Sequence, residues 1–233
     1  MSEAMVTERI VEAYWMIQRY WTYVRYPFQT KSGGWSDIDV LGFNSRRNEL
    51  VIAESKVRGP KKNLYAYTED TRSNYGTILE YDGDKYFTFL NDIGHFLEND
   101  SWMNELMPTI KRLTVQLVSN YYVDESVKQH AIKDVEKEFK EKIKESIKRP
   151  IEVSFRMDTT FDIICKLIEE ENSNSQGRRY GHPVLDMIRE LNRYMHPIVK
   201  YAGGREQSDK IKSEIRNQFL NVFNKKPIKQ TKK

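Results

Sequence analysis

Two neighbouring stretches decide the fold: Gly33-Gly34-Trp35-Ser36-Asp37-Ile38-Asp39-Val40-Leu41-Gly42, and Glu49-Leu50-Val51-Ile52-Ala53-Glu54-Ser55-Lys56-Val57. Each reads as a β-strand, Asp37 to Phe43 and Glu49 to Val57, joined by the polar turn Asn44-Ser45-Arg46-Arg47-Asn48. Side chains alternate faces along a strand, so Asp37 and Asp39 share a face, as do Glu54 and Lys56. Ahead of Glu54 the second strand is apolar on both faces, the pattern of a strand inside a sheet covered on both sides. A carboxylate and an ammonium at the end of such a strand lose hydration unless something compensates. A divalent cation shared by neighbouring carboxylates would compensate. Mg²⁺ takes hard oxygen ligands, one or two carboxylates completed by water and substrate phosphate.

Outward from this hairpin the chain predicts an α/β domain. An amphipathic helix is expected near Thr7 to Thr22, with Ile10, Tyr14, Ile17 and Trp21 on one stripe and Pro27 ending the region. Lys31 to Gly34 reads as a turn. A second hairpin is expected at Tyr75 to Leu90, turning on Asp82-Gly83-Asp84. Then follow a helix near His95 to Leu106, a strand at Leu113 to Ser119 and a charged helix at Ser126 to Ser146. A strand at Ile151 to Arg156 and a helix at Thr160 to Glu171 complete an α-β-α-β-α order. Two further helices are expected at Pro183 to Tyr194 and Glu206 to Phe223, before a lysine-rich tail. The organisation read is an α/β core over 1–175, a helical extension over 176–224 and a basic tail over 225–233.

Composition narrows the function classes. Of 233 residues 39% are hydrophobic and 31% charged, but 14 Tyr, 10 Phe and 4 Trp argue for a packed core over disorder. No apolar run approaches a membrane span, and the N-terminus lacks a signal-peptide layout, so a cytoplasmic protein is expected. One cysteine, Cys165, excludes an internal disulfide framework and a multi-cysteine zinc site. The net charge of +4 is uneven: Arg205 to Lys233 holds nine Lys/Arg against three Asp/Glu, leaving a mildly acidic body. A basic end is compatible with an anionic partner.

The layout of helix, strand with Asp, turn and strand with Glu-x-Lys resembles the PD-(D/E)XK nuclease superfamily. Gly33 to Val57 is especially similar to restriction-endonuclease-like proteins with a Gly-Gly-x-Ser-(Asp/Glu)-Ile-Asp pattern. The specific likeness covers about Glu8 to Val57, and Ile38 stands where many members have Pro. The resemblance implies a mixed central sheet flanked by helices and Mg²⁺-dependent phosphodiester hydrolysis in nucleic acid, DNA before RNA, with Mn²⁺ able to substitute. It makes Asp39 and Glu54 metal ligands, Lys56 the catalytic lysine and Glu12 a further ligand from the first helix, with Glu8 as the alternative. Arg58, Lys61 and Lys62, directly after the second strand, would touch substrate phosphates, and paired cuts would want a homodimer. Two alternatives stay open: a binding module of the same fold without turnover, and a regulatory partner in a larger nucleic-acid-processing assembly.

Other residues carry less. Glu138-Phe139-Lys140 repeats the triplet inside a helical stretch, where residues two apart diverge by about 200°. The four histidines lack zinc-ligand spacing, and Gly203-Gly204 lacks a P-loop sequel. Gln116 reads as a structural strand glutamine, and Arg46 and Arg47 as solvated turn residues.

Overall fold

The computed structural model describes residues 3–56, 89–119, 150–173 and 181–190, with single helical positions at 133, 137, 140, 141, 143, 214 and 217. Two compact units make up the chain, Met1–Ile163 and Ile164–Lys233. The first holds a five-stranded mixed sheet flanked by helices. Among the described residues the order is α1 (Glu3–Ile17), β1 (Trp21–Gln29), β2 (Trp35–Asn44), β3 (Glu49–Lys56), α2 (Phe89–Asn99) and α3 (Ser101–Leu106). A 3-10 turn at Met107–Thr109, β4 (Arg112–Ser119), β5 (Glu152–Thr159) and α4 (Thr160–Ser173) follow. In the second unit residues 183–190 are helical, with Leu185 and Ile188 buried.

Sheet order follows chain order, β1 to β5. The first three strands pair antiparallel, and β3, β4 and β5 run parallel. Register aligns Tyr23, Leu41, Ile52, Val115 and Phe155 in one cross-sheet row. From this row Leu41, Ile52, Val115 and Phe155 join Ile93 and Phe96 of α2 and Met103 of α3 in the main core. The adjacent row is Val24, Val40, Ala53, Gln116 and Arg156, and it faces α1, whose Trp15 reaches Gln116. In β3 Leu50 to Ala53 are all at most 1% exposed, as the apolar run predicts for a strand covered on both faces.

Three expectations need correction. The first helix does not reach Thr22. It ends at Ile17; the chain reverses through Arg19 at φ 69°, and Trp21 opens β1. β1 is an edge strand with alternating exposure, so its aromatic and β-branched residues mimic a continuing helical stripe. Pro27 sits within it, as an edge strand permits. The helix expected at His95 to Leu106 is two helices, broken at Asp100, whose carboxylate accepts from the Met103 amide and caps α3. α2 begins at Phe89, so no hairpin strand runs to Leu90, and the rest of that hairpin lies outside the described residues.

The turn before β2 explains the glycines that open the motif. The Thr30 amide donates to the Gly34 carbonyl at 2.8 Å, the Gly33 amide donates to the Thr30 carbonyl, and Gly33 sits at φ 85°. Only glycine adopts that geometry without strain, so Gly33 serves the turn.

Candidate functional site

The sheet forks beside the motif. Pairing of β2 with β3 ends at Val40–Ala53, while β1–β2 pairing continues to Gln29–Trp35 and β3–β4 pairing to Lys56–Ser119. β2 therefore stays with β1, β3 stays with β4, and the two part company at Asp39 and Glu54. These are the first residues past the last shared pair. The hydrophobic runs on both strands hold the fork in place, since Val40 and Ala53 are fully packed.

The fork is bridged from one strand to the other. Oδ2 of Asp39 accepts the Ser55 amide at 2.6 Å and the Ser55 hydroxyl at 2.9 Å. A side-chain carboxylate thus takes the place of a ladder acceptor on the diverging strand. Two donors on one charged oxygen make a strong, orienting contact. Ser55 is 6% exposed and Glu54 4%, so the two strand-end residues are withdrawn from water. Lys56 occupies the last position of β3, two residues beyond Glu54.

A second device lies across β2. The β1–β2 ladder passes from Val24–Val40 to Tyr26–Ile38 and skips Arg25 and Asp39. Arg25 stands at φ 57°, outside ordinary strand geometry. Its guanidinium forks onto Glu8 of α1, with Nε and Nη2 each 2.9 Å from a carboxylate oxygen. The bidentate bond to Glu8, with smaller contributions from Asp37 and Asp39, holds the arginine firmly protonated. Arg25 thus ties β1 to α1.

Glu12, the first-helix ligand implied by the resemblance, is buried and bonded to Arg9 one turn earlier at 2.6 Å. Glu8, the alternative, is committed to Arg25. Among the described residues no three His, Cys, Asp or Glu side chains gather as a metal-holding group. The structure therefore brings Asp39, Ser55 and Glu54 to one fork and leaves Glu12 and Glu8 bound to arginines. Arg58, Lys61 and Lys62 lie outside the described residues.

Gln116 is wholly buried in β4, and both ends of its amide are bonded. Its oxygen accepts from the Trp15 indole and its nitrogen donates to Asp158 Oδ2, each at 2.7 Å. Arg156 approaches the same Asp158 oxygen at 3.4 Å, donates to the Tyr14 hydroxyl and lies over the Tyr14 and Trp15 rings. Burial draws the Arg156 pKa down, but Asp158 and Tyr14 outweigh it and hold it above the ordinary value. This network welds α1 to β4 and β5. The structural reading of Gln116 agrees with these bonds, whereas Asp158 carried no signal because its partners come from distant segments.

Sequence reasoning also missed Ser55 and Arg25. Ser55 was hidden as the variable residue of Glu-x-Lys, and only the antiparallel register makes it Asp39's neighbour. Arg25 lay in the stretch read as the exit from a helix. Among the described residues no helix is long and apolar enough to cross a membrane. No protein-family profile, curated protein or solved structure matches the chain.

Proposed function

We propose that this chain is a metal-dependent nuclease that hydrolyses phosphodiester bonds in nucleic acid, DNA before RNA, on a restriction-endonuclease-like fold. The observation that carries the reading is the fork: two carboxylates, Asp39 and Glu54, start the diverging arms, with a lysine two residues further along β3. The donor set suits a hard cation. Asp39 and Glu54 supply carboxylate oxygens, and Mg²⁺ characteristically completes such a pair with water and substrate phosphate. Mn²⁺ would fit the same oxygens.

When bound, the ion would polarise the phosphoryl group and lower the pKa of a coordinated water. The chain's own residues do the rest. Ser55 fixes the Asp39 carboxylate, Glu54 is held by the buried strand, and Lys56 offers an ammonium to the charge that develops on phosphorus. Asp39 and Glu54 are the minimal ligand set, and Glu12, whose Oε2 accepts from Arg9, would be a further ligand.

The test is cleavage of labelled DNA and RNA with Mg²⁺ or Mn²⁺ by the wild type, Asp39→Ala and Lys56→Ala. Both variants lose cleavage while their circular dichroism is retained. Full activity in Asp39→Ala overturns the assignment. A binding module without turnover is the second reading, favoured by the arginines that occupy Glu8 and Glu12. It predicts nucleic-acid affinity with no cleavage under any metal.

A further inference from the structure

At the opposite end of the same hairpin, the α1–β1 reversal and the β2–β3 turn enclose an open pocket of about 420 Å³. Arg19, Trp21, Arg46 and Arg47 line it, with Gln18 and Asn44 among its polar groups. Among the described residues no carboxylate is in the lining. Glu49 lies 3.8 Å from Arg47 but is already bonded to Arg112 and to the Tyr20 hydroxyl. Among the described residues Arg19 and Arg46 have no acidic partner at ion-pair distance.

The pocket is built by the fold. Asn44, 5% exposed, accepts the Arg46 and Arg47 amides on Oδ1 and donates from Nδ2 to the Arg19 carbonyl. One buried side chain thus ties both walls together and fixes the turn that presents the arginines. Arg19 itself occupies the left-handed φ of 69°, a position that glycine or asparagine fills more readily. Beside these cations Trp21 is 81% exposed, a large indole face turned to water.

We infer that this pocket binds a single-stranded stretch of nucleic acid, with Arg19, Arg46 and Arg47 gripping backbone phosphate and Trp21 stacking a base. Arginine forks match phosphate oxygens, and an exposed aromatic beside a basic groove is the common platform for unpaired bases. The volume suits one nucleotide unit, at the lower end of ligand-pocket sizes. Asn44 and Asp39 are five residues apart on β2, roughly 17 Å at strand rise. The inference deepens the nuclease reading and rests on it for the identity of the ligand.

The test is fluorescence anisotropy of labelled dT₁₂ with the full chain in EDTA, over a series of salt concentrations. Arg46→Ala/Arg47→Ala, Trp21→Ala and, as a control outside the pocket, Lys31→Ala are compared with wild type after checking circular dichroism. The double variant flattens the log–log salt slope by about 1.4, the release expected for two single-strand phosphate contacts. Trp21→Ala weakens binding by roughly fivefold or more, the lower range for a lost base stack. Lys31→Ala binds as wild type does. Unchanged affinity in both pocket variants overturns the site, and a loss confined to the arginine variant overturns the stacking role of Trp21. Because no metal is present, failure here leaves the cleavage test of Asp39 untouched, and failure of cleavage leaves this binding test standing.

Discussion

Replacing Gln116 by leucine probes the buried network that joins α1 to the sheet. Leucine nearly matches the glutamine in shape, so the change opens little cavity and mainly removes two hydrogen bonds. It strands the Trp15 indole N–H, on a residue 3% exposed, and takes the 2.7 Å donor from Asp158, which keeps Arg156 at 3.4 Å. Leaving a buried polar group without its partner costs about 1–3 kcal/mol, more for a charged one. Two such losses, less about 1 kcal/mol for the added apolar burial, give a net destabilisation of about 1–5 kcal/mol. For a protein of this length each kcal/mol moves the melting midpoint by about 2–4 °C, so a fall of about 2–20 °C is expected. Trp15, Trp21, Trp35 and Trp102 all belong to the first unit, so tryptophan fluorescence follows its melting. A Gln116→Leu midpoint within about 2 °C of wild type would refute the reasoning, because the network would then contribute almost nothing. Gln116→Glu adds a contrast: a carboxylate placed against Asp158 raises their shared pKa range, so this variant recovers stability on acidification and loses it as pH rises.

Three other outcomes follow from the geometry. Ser55→Ala removes the hydroxyl from Asp39 but leaves the backbone amide on the same oxygen. Mn²⁺ affinity by calorimetry then falls by about tenfold, the lower range for loss of a ligand-orienting partner, and an unchanged affinity contradicts the positioning role. Burial, then the bond to Glu49, pushes the Tyr20 hydroxyl from 10.0 up to about 12. Its folded-state pKa is raised, so its contribution is complete below pH 10 and is lost as pH climbs from 10 towards 12. Urea titrations across that window show a shallower fall for Tyr20→Phe than for wild type; parallel curves defeat the point. Gly33→Ala places a Cβ at φ 85°, where open space removes any clash but the backbone itself is strained. The cost is about 1–2 kcal/mol by urea unfolding, and a neutral effect means the turn adopts another geometry.

The strands that pack on both faces were legible from the residues alone. β3 and β4 are short apolar runs bounded by polar turns, and their signal survives any tertiary context. β1 was not legible, because an edge strand buries only alternate residues and its Trp-Thr-Tyr-Val-Arg-Tyr run continues the helical stripe of α1. The break between α2 and α3 hides in a single capping aspartate, Asp100, within an otherwise helical pattern. For the candidate site, period-two alternation identified Asp39, Glu54 and Lys56 as strand-end charges. It did not reveal the fork, which depends on where ladder pairing stops. Nor did it reveal that Arg9 and Arg25 take the α1 glutamates. The Arg9–Glu12 spacing of three on a helix is a local signal, whereas Arg25 meets Glu8 only because the chain reverses at Arg19.

The most direct measurement of the central claim is a calorimetric titration of Mn²⁺ into the full chain with a short DNA duplex present. Wild type is compared with Asp39→Ala/Glu54→Ala, whose fold is first verified by circular dichroism. The fork predicts saturable binding in the wild type that is lost in the double variant. Equal binding by both proteins, or none by either, would contradict a metal centre built on Asp39 and Glu54.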